Sequence, residues 1–399
     1  MEAAFFEGNR KSLRDKLGHG SLVVISGYGE MQHKHDCAAA FEQEASFYYL
    51  TGVREPDWWY LSDGLSGKEY LVRPDESDIK TVFDGSMSNT DARDCSGIRD
   101  IIGRDEAMRI LRTWAKKHTI VYTTEQPAYL AQAGFQLNHA QAELKKVLTR
   151  TFQTVQTCTR EIAQLRSIKQ PEEVRAIQRA IAVTERAFLA AKETLKTAAY
   201  EYEVEAEMTR VIRSGGAWGH AYLPIVAGGI NACTLHYIRN DTRLSKKELL
   251  LIDVGAQVDG YAADITRTYA IGQKPTKRHQ AVHDAVRYAQ QACIEQLKPG
   301  VSVAAFSDEV DVIMKQAISS LGLSVNSYRK YFPHAIGHGL GLDVHDVSSD
   351  SPVFVPGMFV TVEPGIYIVE EGIGVRIEDD ILITDIGHKN LSARLDTHY

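Results

Sequence analysis

The chain has 399 residues, of which 44% are apolar and 24% charged, with a net charge of −7 at pH 7. This length and composition allow a large buried core divided between two domains. The acidic balance, with an isoelectric point near 6.1, provides no basic footprint for nucleic acid or for an anionic membrane surface. We therefore expect a globular protein with no nucleic-acid or membrane partner.

The amino-terminal stretch MEAAFFEGNRKSLRDKL is charged and amphipathic. It lacks the unbroken apolar centre of a secretory signal, and no window approaches the roughly 18 apolar residues of a membrane span. Five scattered cysteines without CxxC spacing argue against a disulfide framework and against a structural zinc site. These features favour a cytoplasmic location.

Residues 1 to about 125 alternate amphipathic helical windows with strand-like apolar runs, which is typical of a small α/β domain. The predicted strands are SLVVISG, FYYLTG, DWWYLS, KEYLVRP and TIVYTT. Residues 140–164 are polar with helical periodicity, so we predict a connecting helix there. The predicted domain boundary at residue 160 divides the chain into 1–160 and 161–399.

The second domain is predicted to combine antiparallel hairpins with covering helices, which makes it α+β. Pro171 opens a long helix that has apolar residues at helical spacing and Glu172 and Glu173 in its first turn. Further helical windows cover residues 203–213, 277–297 and 304–321.

Two acids occupy matching positions in a predicted hairpin. Asp253 in ELLLIDVGA and Asp264 in AADITRTYA flank the turn-forming stretch QVDGY. If the hairpin closes about Val258 and Asp259, then Asp253 lies opposite Asp264, with Cβ atoms roughly 5 Å apart.

A second predicted hairpin repeats this arrangement. Glu363 lies in FVTVEPGIYI and Glu378 in GVRIEDDILI. Closing that hairpin about Glu370 and Glu371 places Glu363 opposite Glu378, so that four acids form two facing pairs.

Four carboxylates near one imidazole, that of His338, predict a centre for two divalent metal ions. Like charges at close range destabilise a sheet unless they are protonated or bridged by a cation. An oxygen-rich ligand set with one imidazole suits a hard or borderline divalent ion, so we favour manganese, with cobalt or zinc as substitutes. The alternative, that each acid is an ordinary solvent-facing strand residue, weakens when all five groups are taken together.

Further histidines cluster near these hairpins. The segment FPHAIGHGLGLDVHD holds His334, His338 and His345 within twelve residues, among glycines that let the backbone approach a ligand closely. His236, in ACTLHY, lies seventeen residues before Asp253 on a predicted apolar strand. Each histidine alone fits an ordinary core position, but together they indicate a site.

Several segments together resemble a known family. The stretches IVAGGINACTLHY, LLLIDVGAQVDGYAADITRTY, HAIGHGLGLDVHD, TVEPGIYI and GVRIEDDILIT are similar, in order and approximate spacing, to the signature of the pita-bread metallopeptidases. Within that group the chain most resembles the proline-specific branch, the prolidases (Xaa-Pro dipeptidases) and aminopeptidase P. The stretch FEQEASFYYLTGVREPD resembles the non-catalytic domain of that branch. The resemblance implies a small creatinase-like α/β domain followed by a pita-bread catalytic domain.

The resemblance also implies roles for the five predicted ligands. Asp253 would chelate one ion, Asp264 and Glu378 would bridge both ions, and His338 with Glu363 would complete the second. A hydroxide between the two cations would attack the carbonyl that precedes proline. Glu363 would pass the proton of that hydroxide to the leaving nitrogen.

Around that centre the resemblance implies contacts with the substrate. His345 would donate to the oxyanion or hold the scissile peptide, while His236 and His334 would line the pocket for proline. Tyr367 and Arg376 match residues near the family's site and would orient the reacting groups without taking part in the chemistry.

The chain departs from the family pattern between its two glutamate strands. Large prolidases and aminopeptidases P often carry a longer insertion there that ends in an arginine, whereas this chain has only VEEG. Such an arginine could bind the free carboxylate of a dipeptide, so its absence leaves the origin of dipeptide selectivity open. Arg54 of the first domain, or an arginine of a partner subunit, is an alternative source.

We predict a dinuclear metal-dependent exopeptidase that hydrolyses Xaa-Pro dipeptides and assembles as a homodimer. The alternative is an Xaa-Pro aminopeptidase, which removes the first residue from longer peptides with proline in second position. Two other classes are a non-catalytic pita-bread module that binds proteins and an amidinohydrolase of the creatinase kind. The complete set of metal ligands argues against both.

Overall fold

The computed structural model describes residues 1–75, 78–127, 130, 132–272, 274–347 and 350–398. The chain divides into two compact units, Met1–Arg166 and Ser167–Tyr399. None of the helices in the described ranges has both the length and the apolarity that a membrane span requires.

The first unit is built on a mixed sheet. Its strands are β1 (Leu22–Ser26), β2 (Gln32–Lys34), β3 (Cys37–Ala38), β4 (Trp59–Asp63), β5 (Lys68–Val72), β6 (Asp100–Ile102), β7 (Ile120–Thr123) and β8 (Thr154–Thr157). Six of them form the sheet in the order β6-β5-β4-β1-β7-β8, while β2 and β3 form a separate small hairpin. Strand β4 runs antiparallel to β1 and β5, and β7 pairs parallel with β1.

Helices cover this sheet and complete its α/β architecture. They are α1 (Ala3–Leu17), α2 (Ala45–Thr51), α3 (Asp78–Asp84), α4 (Asn89–Ser96), α5 (Arg104–Trp114), α6 (His139–Thr151) and α7 (Thr159–Ser167). Leu22, Val24, Leu61 and Val121 from the strands pack with Leu111 and other helical side chains in one buried cluster.

Two of the predicted elements of this unit are wrong. The run FYYLTG is the end of helix α2, which begins after Glu44 and ends at Gly52 with φ +71°. Its residues are buried on every side, so the apolar run carries no period that separates helix from strand. Residues 140–164 are not one helix, because β8 interrupts them and extends the sheet through parallel pairing with β7.

The second unit consists of helices and antiparallel strands. Its helices are α8 (Pro171–Thr194), α9 (Glu201–Ser214), α10 (Lys277–Gln296), α11 (Val303–Ser320) and the single turn α12 (Tyr328–Tyr331). The first four confirm the predicted helical windows. Short 3₁₀ helices cover Gly229–Cys233, Val325–Ser327 and Val369–Glu371.

The strands of this unit pair antiparallel throughout the described residues. They are β9 (Gly219–His220), β10 (Ile225–Gly228), β11 (Leu249–Val254), β12 (Ala256–Val258), β13 (Tyr261–Ala262), β14 (Ile265–Ala270), β15 (Phe359–Val362), β16 (Gly365–Ile368), β17 (Ile373–Arg376), β18 (Asp379–Thr384) and β19 (Gly387–Asn390). They form the groups β10-β11-β14, β13-β12-β9, β15-β18-β19 and β16-β17. Helices α10 and α11 pack with side chains of β15, β16, β17 and β18 in one large apolar cluster, and a smaller apolar cluster joins β10 and β11.

Candidate metal centre

The first acid-bearing hairpin closes on a different turn from the predicted one. Asp259 and Gly260 have φ values of +52° and +85°, which is the backbone of a type I′ turn. Asp253 therefore faces Thr266 across β11 and β14, not Asp264, and the predicted register is wrong by two residues. The acids nevertheless meet, since the Tyr222 hydroxyl oxygen lies 2.5 Å from a carboxylate oxygen of each.

The second hairpin has the predicted register. Val362 pairs with Asp379, and Gly365 pairs with Arg376, so the intervening Glu363 and Glu378 occupy matching positions. Both acids lie just outside the ends of regular strands, where the backbone is free to turn their side chains toward the site.

The two hairpins are joined at Glu378. Its backbone N–H donates to the carbonyl of Thr266 at 3.0 Å, and the Thr266 hydroxyl donates to the Glu378 carboxylate at 2.7 Å. Because Thr266 is the cross-strand partner of Asp253, this bridge brings the acids of both hairpins into one cluster.

The predicted imidazole reaches the same cluster. His338 Nε2 lies 3.4 Å from Asp264 Oδ2 and 3.6 Å from Glu363 Oε1. The loop that carries His338 runs along β15, where the Thr361 N–H donates to the His338 carbonyl at 2.9 Å and the His338 N–H donates to the Thr361 hydroxyl at 3.1 Å. A Cβ atom on Gly337 would lie 2.0 Å from the Thr361 carbonyl oxygen, so only glycine permits this approach of the loop.

Asp253 also takes part in a chain of hydrogen bonds behind the cluster. Arg376 donates to its carboxylate at 2.6 Å and to the Tyr367 hydroxyl at 2.9 Å. Tyr367 in turn lies 2.9 Å from His334 Nε2. The guanidinium is almost fully buried, with 4% of Arg376 exposed, and it also donates to Thr266 at 3.2 Å.

All of the predicted site residues except Tyr367 line one cavity of about 500 Å³. Its histidines are His236, His334, His338 and His345, and the rings of His338 and His345 make an edge-on contact at 4.3 Å between centroids. His236 differs from the prediction in its setting. It lies in a turn after the 3₁₀ helix Gly229–Cys233 and not on an apolar strand.

Burial and crowded charge shift the acids of the cluster toward their neutral forms. Burial raises the pKa of Glu363 to about 7, and burial, with the charges of Asp264 and Glu363, raises that of Glu378 well above its usual range. Burial and the charge of Asp253 raise the pKa of Asp264 as well.

The two histidines of the loop shift in opposite directions. Burial lowers the pKa of His334 to about 4, which leaves a neutral ring. Burial acts in the same direction on His338, but the hydrogen bond to Asp264 and the charges of Asp264 and Glu363 outweigh it and raise its pKa to about 9. Without a metal ion, His338 therefore carries a proton, and its positive charge balances part of the negative charge of the neighbouring acids.

This donor set fits divalent metal ions. Asp264, His338 and Glu378 each offer a ligand atom, and these atoms lie within 4.8 Å of one another. Glu363 and Asp253 border the same space. Four carboxylates with one imidazole match the hard or borderline ions that prefer oxygen ligands. Binding such ions would relieve the repulsion among these buried carboxylates.

Sequence reasoning missed three residues of the site. Tyr222 binds both Asp253 and Asp264, and Thr266 binds Glu378, as described above. Asp380 is fully buried and accepts the backbone N–H of Asp264 at 3.2 Å. Tyr222 reaches the acids because it precedes β10, whose Ile225 pairs with Asp253 of β11, and that pairing is visible only in the folded chain.

Comparison with known proteins places this centre in a family. The model of metallopeptidase family M24 matches residues 175–385, and that of the aminopeptidase P amino-terminal domain matches residues 6–122. The chain is 31% identical, over 97% of its length, to an Xaa-Pro aminopeptidase of Haemophilus influenzae, 94% of which is covered. It is 33% identical, over 96% of its length, to Xaa-Pro aminopeptidase 3 of Rattus norvegicus, 80% of which is covered.

A solved structure agrees with these relatives. Aminopeptidase P from Escherichia coli, solved with the inhibitor Pro-Leu, superposes with a TM-score of 0.88 at 28% identity, covering 100% of this chain and 96% of that one. The two-domain α+β fold expected from the resemblance is therefore confirmed. The chain belongs to metallopeptidase family M24, on the branch of the pita-bread fold that aminopeptidase P represents.

Proposed function

We propose that this metallopeptidase is an Xaa-Pro aminopeptidase, which removes the first residue from peptides that have proline in second position. The observation that carries the proposal is the convergence of Asp264, His338 and Glu378 within 4.8 Å, in a chain that aligns over nearly its whole length with Xaa-Pro aminopeptidases. These relatives favour the longer-peptide alternative over the dipeptidase that the sequence predicts.

The cavity lining supports the same choice. A dipeptidase has to hold the free carboxylate of a dipeptide next to proline, which calls for a cation. Among the described residues of the lining, Arg376 is the only arginine or lysine, and Asp253, Tyr367 and Thr266 already bind its guanidinium. A longer peptide continues beyond proline without a charge at that point, so it needs no such cation.

We assign the metal ligands as the sequence predicts them. Asp253 and Asp264 would hold one ion and His338 and Glu363 the other, with Asp264 and Glu378 shared between them. The bound ions supply Lewis acidity toward the scissile carbonyl and toward the attacking water. Manganese remains the proposed ion, because the donor set is rich in oxygen.

The chain's own side chains complete the proposed chemistry. Glu363 takes a proton from the attacking water and delivers it to the proline nitrogen, since its carboxylate borders the cavity 3.6 Å from His338 Nε2. His345 donates to the developing oxyanion. His334, which is neutral, forms with His236 the wall against which the proline ring packs.

Arg376 and Tyr367 act through these groups. Arg376 fixes the carboxylate of Asp253, and Tyr367 fixes the ring of His334. Both side chains are buried, so they restrict the rotamers of the residues that they contact. We further propose that the protein is a cytoplasmic homodimer. Sedimentation analysis would test this by measuring the mass of the assembly.

Three matched peptides test the proposal, an Xaa-Pro dipeptide, its Xaa-Pro-Xaa extension and an Xaa-Ala-Xaa control, each assayed at equal manganese concentration. We expect the Xaa-Pro-Xaa peptide to have the highest kcat/KM, by roughly tenfold or more over either other peptide, since a difference of about 1.4 kcal/mol suffices. Preference for the dipeptide would restore the prolidase assignment. A protein that binds manganese but cleaves none of the three peptides would contradict the proposal, and one that also binds no metal would favour the non-catalytic module.

A further inference from the structure

His236 reaches the cavity from a segment with little regular structure. Gly228 ends β10, a 3₁₀ helix covers Gly229–Cys233, and the residues from His236 to Thr242 run without helix or strand. The side chain of His236 is exposed toward the cavity. Among the described residues, none hydrogen-bonds its imidazole, so the position of the ring depends on the backbone that carries it.

One buried carboxylate binds this segment at four points. Glu201 begins helix α9 and is 0% exposed. Its Oε1 accepts the Gly228 N–H at 2.7 Å and the Asn231 side-chain amide at 3.0 Å. Its Oε2 accepts the Tyr237 hydroxyl at 2.8 Å and the Thr242 N–H at 2.9 Å. The donors stand on both sides of His236 in the chain, and Tyr237 is its direct neighbour.

The Glu201 carboxylate is buried, and the described residues that hold it are hydrogen-bond donors, not opposite charges. Within the described part of the chain, no lysine, arginine or histidine forms an ion pair with it. Burying an unpaired carboxylate is costly, and hydrogen bonds to a charged acceptor are the interactions that offset this cost. All four donors come from a single segment, so the carboxylate organises that segment and no other part of the fold.

A second acid on the same helix extends the anchor. Glu205, one turn after Glu201 and therefore on the same helix face, accepts the Asn240 side-chain amide at 2.9 Å. Asn240 is buried, has a φ of +48° and accepts the Val226 N–H at 2.9 Å. The segment is thus attached to α9 and to β10 beyond His236 as well.

We propose that Glu201 is a positioning residue for substrate hydrolysis, which holds the segment 228–242 so that His236 faces the substrate in the cavity. The proposal rests on the function assigned above, in which His236 contacts the proline ring. Glu201 lies outside the residues that line the cavity, so it acts through His236 without touching the substrate.

A double-mutant cycle tests the proposal. Glu201→Gln presents an amide N–H₂ to donors that need an acceptor, so we expect kcat/KM for the Xaa-Pro-Xaa peptide to fall about tenfold or more, with metal content unchanged. In a His236→Ala background the same change should cost no more than about twofold, because coupled residues are not additive. An equal loss in both backgrounds would overturn the proposal.

Two further variants separate positioning from general destabilisation. Glu207→Gln is the matched control, because Glu207 lies on α9 and, among the described residues, its carboxylate pairs only with the exposed Arg210. It should leave kcat/KM unchanged. Tyr237→Phe removes one of the four bonds to Glu201, so its loss of kcat/KM should be smaller than that of Glu201→Gln. This milder variant tests the anchor if Glu201→Gln folds poorly. An activity loss in Glu207→Gln as large as that in Glu201→Gln would contradict the assignment.

Amide hydrogen exchange provides a readout that does not depend on turnover. Glu201→Gln should speed exchange across residues 228–242 while leaving the strands β11 and β14 protected, whereas Glu207→Gln should change neither. Unchanged exchange in the segment would sink the positioning role even in an active enzyme. Faster exchange in a protein that hydrolyses none of the peptides would instead uphold the anchor and refute only the proposed function.

Discussion

The two hairpins that carry the acids differ in how their turns are built. The first closes on Asp259 and Gly260, both with positive φ, and the second closes on the 3₁₀ turn Val369–Glu371 followed by Gly372 with φ +65°. Symmetric folding predicts the register of the second hairpin and fails for the first. The backbone of the turn, and not the symmetry of the acids, decides which residues face each other.

The error in the first hairpin left the site intact for a geometric reason. Side chains alternate between the two faces of a strand, so a slip of one residue would turn Asp264 away from Asp253. The observed slip is two residues, which preserves the face. The two carboxylates therefore still meet at the Tyr222 hydroxyl.

The largest expected effect tests whether both hairpins serve one centre. Asp264→Asn in the first hairpin and Glu378→Gln in the second should each lower kcat/KM by roughly a thousandfold, about 4 kcal/mol of transition-state stabilisation. Each should also reduce the number of metal ions bound, which emission spectroscopy counts. Asp385→Asn, in the exposed turn between β18 and β19, serves as the control. Full activity in either site variant would remove that hairpin from the centre.

The next effect concerns the stability of the metal-free protein, which should increase when one of the proposed ligands is replaced. The folded pKa of Glu363 is about 7, against 4.5 for the free side chain, so the charged form destabilises the fold. This penalty is absent below pH 4.5, grows as the pH rises through 7 and is complete above it. Without metal, Glu363→Gln should therefore raise the free energy of unfolding by roughly 1–3 kcal/mol at pH 8.

Urea unfolding of the chelator-treated proteins checks this prediction. The gain should shrink as the pH falls toward 4.5, and Glu295→Gln, an exposed position on α10, should show none. Adding manganese should make the wild type more stable than Glu363→Gln, because the wild-type carboxylate then binds a cation. A metal-free Glu363→Gln protein that is less stable than the wild type at pH 8 would mean that the carboxylate already has a favourable partner.

Much of the site could be predicted because metal chemistry restricts the residue types. Asp253, Asp264, Glu363 and Glu378 are rare charges at the ends of apolar runs, and the glycines around His338 mark a backbone that has to come close to β15. The turn position of His236 could not be predicted in this way, since its segment is bound by Glu201, whose partners lie 27 to 41 residues further along the chain. The helix α2 was missed because full burial removes the polar face that reveals a helical period.

A smaller effect should follow from altering the turn of the first hairpin. Gly260 has φ +85°, a region in which a side chain costs about 1–2 kcal/mol. Gly260→Ala should lower the free energy of unfolding by about that amount. Gly387→Ala is the matched control, because Gly387 also follows a hairpin turn, but its φ lies outside the left-handed region and a Cβ atom there would meet open space. Equal stability of the two variants would show that the turn tolerates a side chain and does not set the register.

The smallest effect belongs to the link of the second hairpin. Glu371 makes a two-point ion pair with Arg278, at 2.7 Å for each contact, and both side chains are about one-third exposed. Solvent and salt screen such surface pairs, so Glu371→Gln should cost about 0.5 kcal/mol or less and leave kcat/KM unchanged, as measured by urea unfolding and peptide hydrolysis. If activity fell instead, the short link would be holding Glu363 and Glu378 at their working separation. The turn of the second hairpin would then determine the site as directly as Asp259 and Gly260 determine the register of the first.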